Sequence, residues 1–157
     1  VLINNAGLGK FGPLHEMSVE DWDVQMETNV RGVFLCTRET VPAMQRQNQE
    51  NGFGGHIINI ASIAGLLGNP NLGAYNASKF GVRGLSEAMM KELRDFGIKV
   101  TCVYPGSIDT NFSGSGGFLS RNAMTPQNIA ETVIHVLETS DNYLISEVVM
   151  RPLRPKG

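Results

Sequence analysis

The chain has 157 residues and a net charge of −2, from 13 basic and 15 acidic side chains. That length suits one domain burying roughly 70% of the surface its extended form exposes. The basic residues are scattered, which argues against nucleic acid, and no apolar run nears the ~20 residues of a membrane helix.

Val1-Leu2-Ile3 is an apolar run stopped by Asn4-Asn5-Ala6-Gly7 and reads as the end of a buried strand. The chain opens on it without a methionine, so it is expected to be cut from something longer. Trp22, Met26, Val30, Val33, Phe34, Thr37, Val41 and Met44 then recur at helical spacing behind Ser18, a suitable N-cap. A helix over 19–47 is predicted, with a kink at Pro42. His56 to Ala61 is a second β-branched strand. Leu85, Ala88, Met89, Leu93 and Phe96 share one face of a helix over 72–96, closed by Gly97. Lys99 to Tyr104 is a third strand. Thr125-Pro126 is an N-cap followed by proline at the first helical position, opening a helix over 126–139, and Glu147 to Met150 is the fourth strand.

Strands alternating with helices of this length argue for right-handed crossovers and a parallel sheet covered on both faces, an α/β doubly wound, Rossmann-like fold in one domain over 1–157. The glycine-rich stretch Asn111–Met124 is long enough to be a functional loop, and its Gly114, Gly116 and Gly117 beside Phe118 and Leu119 suggest a lid.

Cys36 and Cys102 are far apart, and His15, His56 and His135 show no ligand spacing, so no metal site is expected. No leader sequence is visible, and a reducing, cytoplasmic setting is expected. Tyr75 and Lys79 stand four residues apart at the start of a predicted helix, on one face and one turn apart. A tyrosine that exchanges protons works best with a pKa near the operating pH, and a neighbouring ammonium favours its phenolate. Ser62 lies thirteen residues earlier, at the carboxyl end of the second strand, where open α/β sheets place their ligand crevice.

Asn4-Asn5-Ala6-Gly7, Asn29-Val30-Arg31-Gly32, Ile57 to Ser62, Tyr75 to Lys79 and Pro105-Gly106-Ser107-Ile108-Asp109-Thr110 stand in the order and spacing of one family. In these five motifs the chain resembles the short-chain dehydrogenases/reductases. The resemblance implies an NAD(P)-dependent oxidoreductase interconverting a secondary alcohol and a carbonyl. It implies that Tyr75 is the general acid or base, that Ser62 polarises the carbonyl, that Lys79 holds the nicotinamide ribose, and that Asn29 holds a relay water. Asn5, Ala6 and Gly7 would pass under the adenosine half of the cofactor. Pro105, Gly106, Ile108 and Thr110 would bind its carboxamide, with Tyr75 and Lys79 also in contact with the cofactor. A homodimer or homotetramer through the helices over 19–47 and 72–96 is implied as well, with Leu35 and Phe80 as apolar residues beyond the stripe the sheet needs.

The family's first strands and glycine-rich pyrophosphate turn are missing ahead of Asn4, together with the residue that separates NAD(H) from NADP(H). A lean toward NADP(H) rests on the similarity to carbonyl-reducing members. The ending Glu147-Val148-Val149-Met150-Arg151-Pro152 departs from that of acyl-carrier-protein reductases and is more similar to the 3-hydroxy acid dehydrogenase branch. Two alternatives stand beside this reading: an inactive fragment or non-catalytic remnant, and an extended-family epimerase or dehydratase.

Overall fold

A computed structural model of the chain describes residues 1–110, 112 and 122–154. Four strands, β1 (Leu2–Asn4), β2 (Gly55–Ile60), β3 (Ile98–Pro105) and β4 (Glu147–Met150), form one parallel sheet in the order β1–β2–β3–β4. Leu2 stands opposite Ile57, Ile57 opposite Val100, and Val103 opposite Val148. The alternation of side chains along each strand then divides the core in two.

On one face Ile57, Val100, Cys102 and Tyr104 pack with Val33 and Met44 of α2 (Gly32–Asn51) and with Val82, Met89 and Leu93 of α3 (Gly73–Leu93). On the other face Ile58 and Val103 pack with Val133 and Val136 of α4 (Pro126–Leu137). The sheet grows in one direction, so connections running over opposite faces have opposite hands. The β3–α4–β4 crossover is therefore opposite in hand to the two before it, and the uniformly right-handed set expected from the sequence is corrected. With α2 and α3 filling one face, the apolar side of α4 finds its partners on the other.

The predicted first helix is three abutting segments. α1 (Val19–Met26) starts at Ser18, whose hydroxyl accepts from the Asp21 amide at 3.0 Å, a π-helical turn covers Glu27–Arg31, and α2 follows. The ladder thus changes register around Asn29, whereas α2 runs uninterrupted through Pro42 and ends four residues beyond the predicted limit, where Gly52 turns left-handed (φ 75°). Gly97 (φ 63°) closes the turn after α3 in the same way. Thr125 and Asn128 form a capping box with Pro126 at the first position of α4.

The ends of the proposed lid are pinched together, the Asp109 amide donating to Met124 O at 2.8 Å and the Met124 amide to Ser107 O at 3.0 Å. Its glycines, Phe118 and Leu119 lie outside the described residues. Among the described residues no helix is long and apolar enough to cross a membrane, and no cluster of three metal-ligating side chains occurs.

Candidate active site

The carboxyl ends of the strands and the first turns of α3 enclose a cleft of about 390 Å³. Of the predicted site residues, Asn5, Gly7, Ser62, Tyr75, Lys79, Pro105, Gly106, Ile108 and Thr110 line it. Ala6 does not, and is exposed. Asn29 stands just behind the wall: a Cβ on Gly7 would lie 3.4 Å from Asn29 Oδ1 and 3.4 Å from Lys79 Nζ.

Tyr75 and Lys79 face the same volume because they are one helical turn apart, with the ammonium 5.7 Å from the centre of the Tyr75 ring. Lys79 is only 4% exposed, and its ammonium donates to Ile60 O at 3.2 Å. Burial pulls its pKa down to about 8, with the Cys102 thiol acting weakly the other way. Burial also raises the pKa of Tyr75, and hydrogen bonding by Ser62 draws it part of the way back. The sequence suggested that Lys79 would bring the phenol down. In the structure as it stands desolvation dominates, and it weakens the cation as well as the phenolate.

Ser62 follows β2 and caps the 3-10 turn Ile63–Gly65, accepting from the Ala64 amide at 3.1 Å and approaching Pro105 O at 3.5 Å. Its hydroxyl thereby stands between the ends of β2 and β3. Asn29 has both amide protons committed, to Leu8 O at 2.8 Å and Ser78 Oγ at 2.9 Å, while Oδ1 accepts from the Leu8 amide at 2.9 Å. It clamps the segment after Gly7, and its Oδ1 keeps one lone pair for a water. Pro105 to Thr110 leave β3 along the opposite wall, where the Gly106 amide donates to Met150 O at 2.8 Å.

Several contributors were not singled out from the sequence. The Phe11 ring meets Tyr75 edge-on and the Phe112 ring meets it tilted, each with centroids 5.7 Å away. Gln25, fully buried, accepts from the Lys10 amide at 3.0 Å and so fixes the stretch that carries Phe11. Asn76, next to Tyr75, donates to Ala64 O at 2.7 Å and Leu67 O at 2.8 Å and accepts from the Asn69 amide at 3.1 Å. The only advance signal was polarity at positions that helical spacing turns inward: Gln25 and Asn29 are four residues apart, and Asn76 stands three before Lys79.

Beyond Asn5, Ile108 and Thr110 an apolar groove of about 490 Å³ runs between Ile3 and the Ile129–Ile134 side of α4. β1 has a strand partner on only one side among the described residues, and Ile3 is 46% exposed.

Known proteins resemble this chain in sequence and in fold. The family model described as short chain dehydrogenase matches residues 1–116. An uncharacterized oxidoreductase of Staphylococcus saprophyticus is 34% identical over 153 residues, which are 98% of this chain and 63% of that protein. A closed serine dehydrogenase complexed with NADP+ superimposes with a TM-score of 0.89 at 34% identity, over 97% of this chain and 64% of that one. The alcohol dehydrogenase of the archaeon Thermococcus sibiricus, complexed with 5-hydroxy-NADP, superimposes with a TM-score of 0.87 at 26% identity, over 99% of this chain and 63% of that one. The chain thus spans a little under two thirds of the length of these relatives, and it belongs to the short-chain dehydrogenase family.

Proposed function

We propose that residues 1–157 carry the proton-transfer half of an NADP(H)-dependent oxidoreductase that interconverts a secondary alcohol and a carbonyl. The observation that carries this reading is the convergence of Ser62, Tyr75 and Lys79 on one cleft at the carboxyl ends of parallel strands. The cleft fits a nicotinamide ribose. Gly7 leaves the room a side chain would fill, and Lys79, with one donor spent on Ile60 O, keeps two N–H groups for hydroxyls.

A nicotinamide cofactor held by Lys79 and the segment from Pro105 to Thr110 would supply the hydride that the carbonyl carbon receives. Ser62 donates a hydrogen bond to the carbonyl oxygen, and Tyr75 gives that oxygen its phenolic proton, so carbon and oxygen receive hydride and proton respectively. In oxidation the phenolate takes the alcohol proton back. Lys79 stabilises the phenolate electrostatically, and Asn29, through its remaining Oδ1 lone pair, holds the water that reloads the relay. Burial raises the Tyr75 pKa, which favours the protonated phenol from which reduction starts. The bound cofactors of the serine dehydrogenase and the archaeal alcohol dehydrogenase support NADP(H). The substrate is a small carbonyl or alcohol, the setting cytoplasmic, and the assembly a homodimer or homotetramer through α1–α2 and α3, whose Phe34, Leu35 and Phe80 are exposed.

The open side of β1 and the adjoining apolar groove favour a second reading for the chain by itself: an inactive piece that completes its cofactor site only with further polypeptide. One experiment tests both. Residues 1–157, alone and fused behind the N-terminal portion of the Staphylococcus saprophyticus relative, are given NADPH deuterated at the transferring carbon and a panel of ketones and aldehydes. Deuterium on the carbinol carbon of the product is expected from the fusion, and its absence across the panel overturns the proposed reaction.

A further inference from the structure

The two arms of the catalytic centre come from different elements: Ser62 stands on the segment after β2, Tyr75 and Lys79 on α3. Backbone ladders do not join them, so something else must set the Ser62 hydroxyl against the Tyr75 phenol. Proton transfer tolerates little error in that distance, since a misplacement of ~1 Å can cost ~10²-fold in rate.

The side chain of Asn76 spans the gap. It is 7% exposed, and all three of its hydrogen bonds go to the backbone of the Ser62 arm: Nδ2 to Ala64 O and Leu67 O, and Oδ1 from the Asn69 amide. Its amide therefore fixes three points along six residues of that arm. Ala64 is the residue whose own N–H binds Ser62 Oγ, so the clamp reaches the hydroxyl through a single residue. A steric contact completes it, because a Cβ on Gly65 would lie 2.6 Å from Lys79 O, so the arm rests directly on the α3 backbone at the lysine.

We propose that Asn76 is a positioning residue that sets the Ser62–Tyr75 distance by bolting the Ser62 arm to α3. The proposal rests on the reading of Ser62 and Tyr75 given above. It distinguishes Asn76 from a buried amide that merely satisfies its surroundings, because its effect on the reaction must pass through Ser62. The direction of the Tyr75 pKa agrees: Ser62 is the group that lowers it against burial, so loosening the arm should raise it.

The test is a double-mutant cycle in the fusion protein described above. Asn76→Ala is expected to lower kcat roughly 10-fold to 10²-fold with the NADPH Kd changed less than about twofold, and to cost nothing further once Ser62 is alanine. Additive losses, or an Asn76→Ala enzyme with full kcat, would overturn the proposal. If Asn76→Ala does not fold, Asn76→Asp preserves the shape and the acceptor while turning an oxygen toward two carbonyls. Its kcat should recover as pH falls and the buried carboxyl becomes a donor, and a flat profile relative to the parent overturns the proposal. Tyr75→Phe with undiminished turnover would instead sink the proposed reaction and leave the clamp to a titration of the Tyr75 ring by NMR in residues 1–157. There Asn76→Ala and Ser62→Ala should raise its pKa equally, and unequal shifts contradict the clamp.

Discussion

Replacing Lys79 by methionine should stabilise the chain while removing part of its chemistry, and the size of the effect follows from burial. Lys79 is 4% exposed, donates to no carboxylate among the described residues, and has its pKa lowered from 10.5 to about 8. That change is worth about 3 kcal/mol of native stability, withheld in full below about pH 8, where the lysine is charged in both states. The unfolded state binds the extra proton between about pH 8 and 10.5, so wild-type stability rises with pH through that window and is lowest below it. Lys79→Met cannot make that gain. It should be up to about 3 kcal/mol more stable than wild type at pH 7, with the difference shrinking as pH rises from 8 to 10.5. Urea melts of both chains at half-unit intervals measure it, and other titrating groups cancel in the difference. Parallel pH dependences over that interval would refute the claim that the lysine is held desolvated.

Three further outcomes are expected. His56 donates through Nε2 to Thr101 Oγ1 at 2.7 Å, since Thr101 spends its own proton on Ile145 O at 2.6 Å, and burial and Lys99 lower its pKa from 6.5 to about 4. Its contribution is complete above pH 6.5 and is lost as pH falls through 4, so His56→Gln should flatten acid unfolding between those values in urea melts, and an unchanged slope counts against it. Residues 1–157 alone should bind NADPH at least about 10²-fold more weakly than the fusion protein by fluorescence, and equal affinity would show that the cleft suffices. Phe80, 42% exposed on α3, should lie in a self-complementary interface, so Phe80→Glu is expected to convert a sedimenting dimer or tetramer to monomer, and a monomeric parent would contradict that interface.

How far the sequence carried depended on the range of the interaction. Tyr75 and Lys79 were legible because four residues of helix fix their relation, and Thr125-Pro126 because a cap is local. The register change at Glu27–Arg31 was not, since one extra residue in a turn leaves the apolar spacing nearly intact. Which face of the sheet α4 covers is invisible to periodicity, which records that an apolar stripe exists and not what it meets, so the hand of the last crossover was misjudged. The side chains that hold the site in shape escaped for the same reason. Asn76 reaches Ala64 twelve residues away, Gln25 reaches Lys10 fifteen away, and Phe112 meets Tyr75 from a different loop. The electrostatics depended on burial, which reversed the expected direction for Tyr75.

The most direct test of the central claim is Tyr75→Phe in the fusion protein, assayed for single-turnover reduction of a carbonyl by bound NADPH. The ring and its contacts with Phe11 and Phe112 remain while the only proton donor of the proposed step is removed. Turnover should fall ~10²-fold or more with the NADPH Kd nearly unchanged. Reduction at the parent rate would show that the proton comes from elsewhere and that the cleft has been misread.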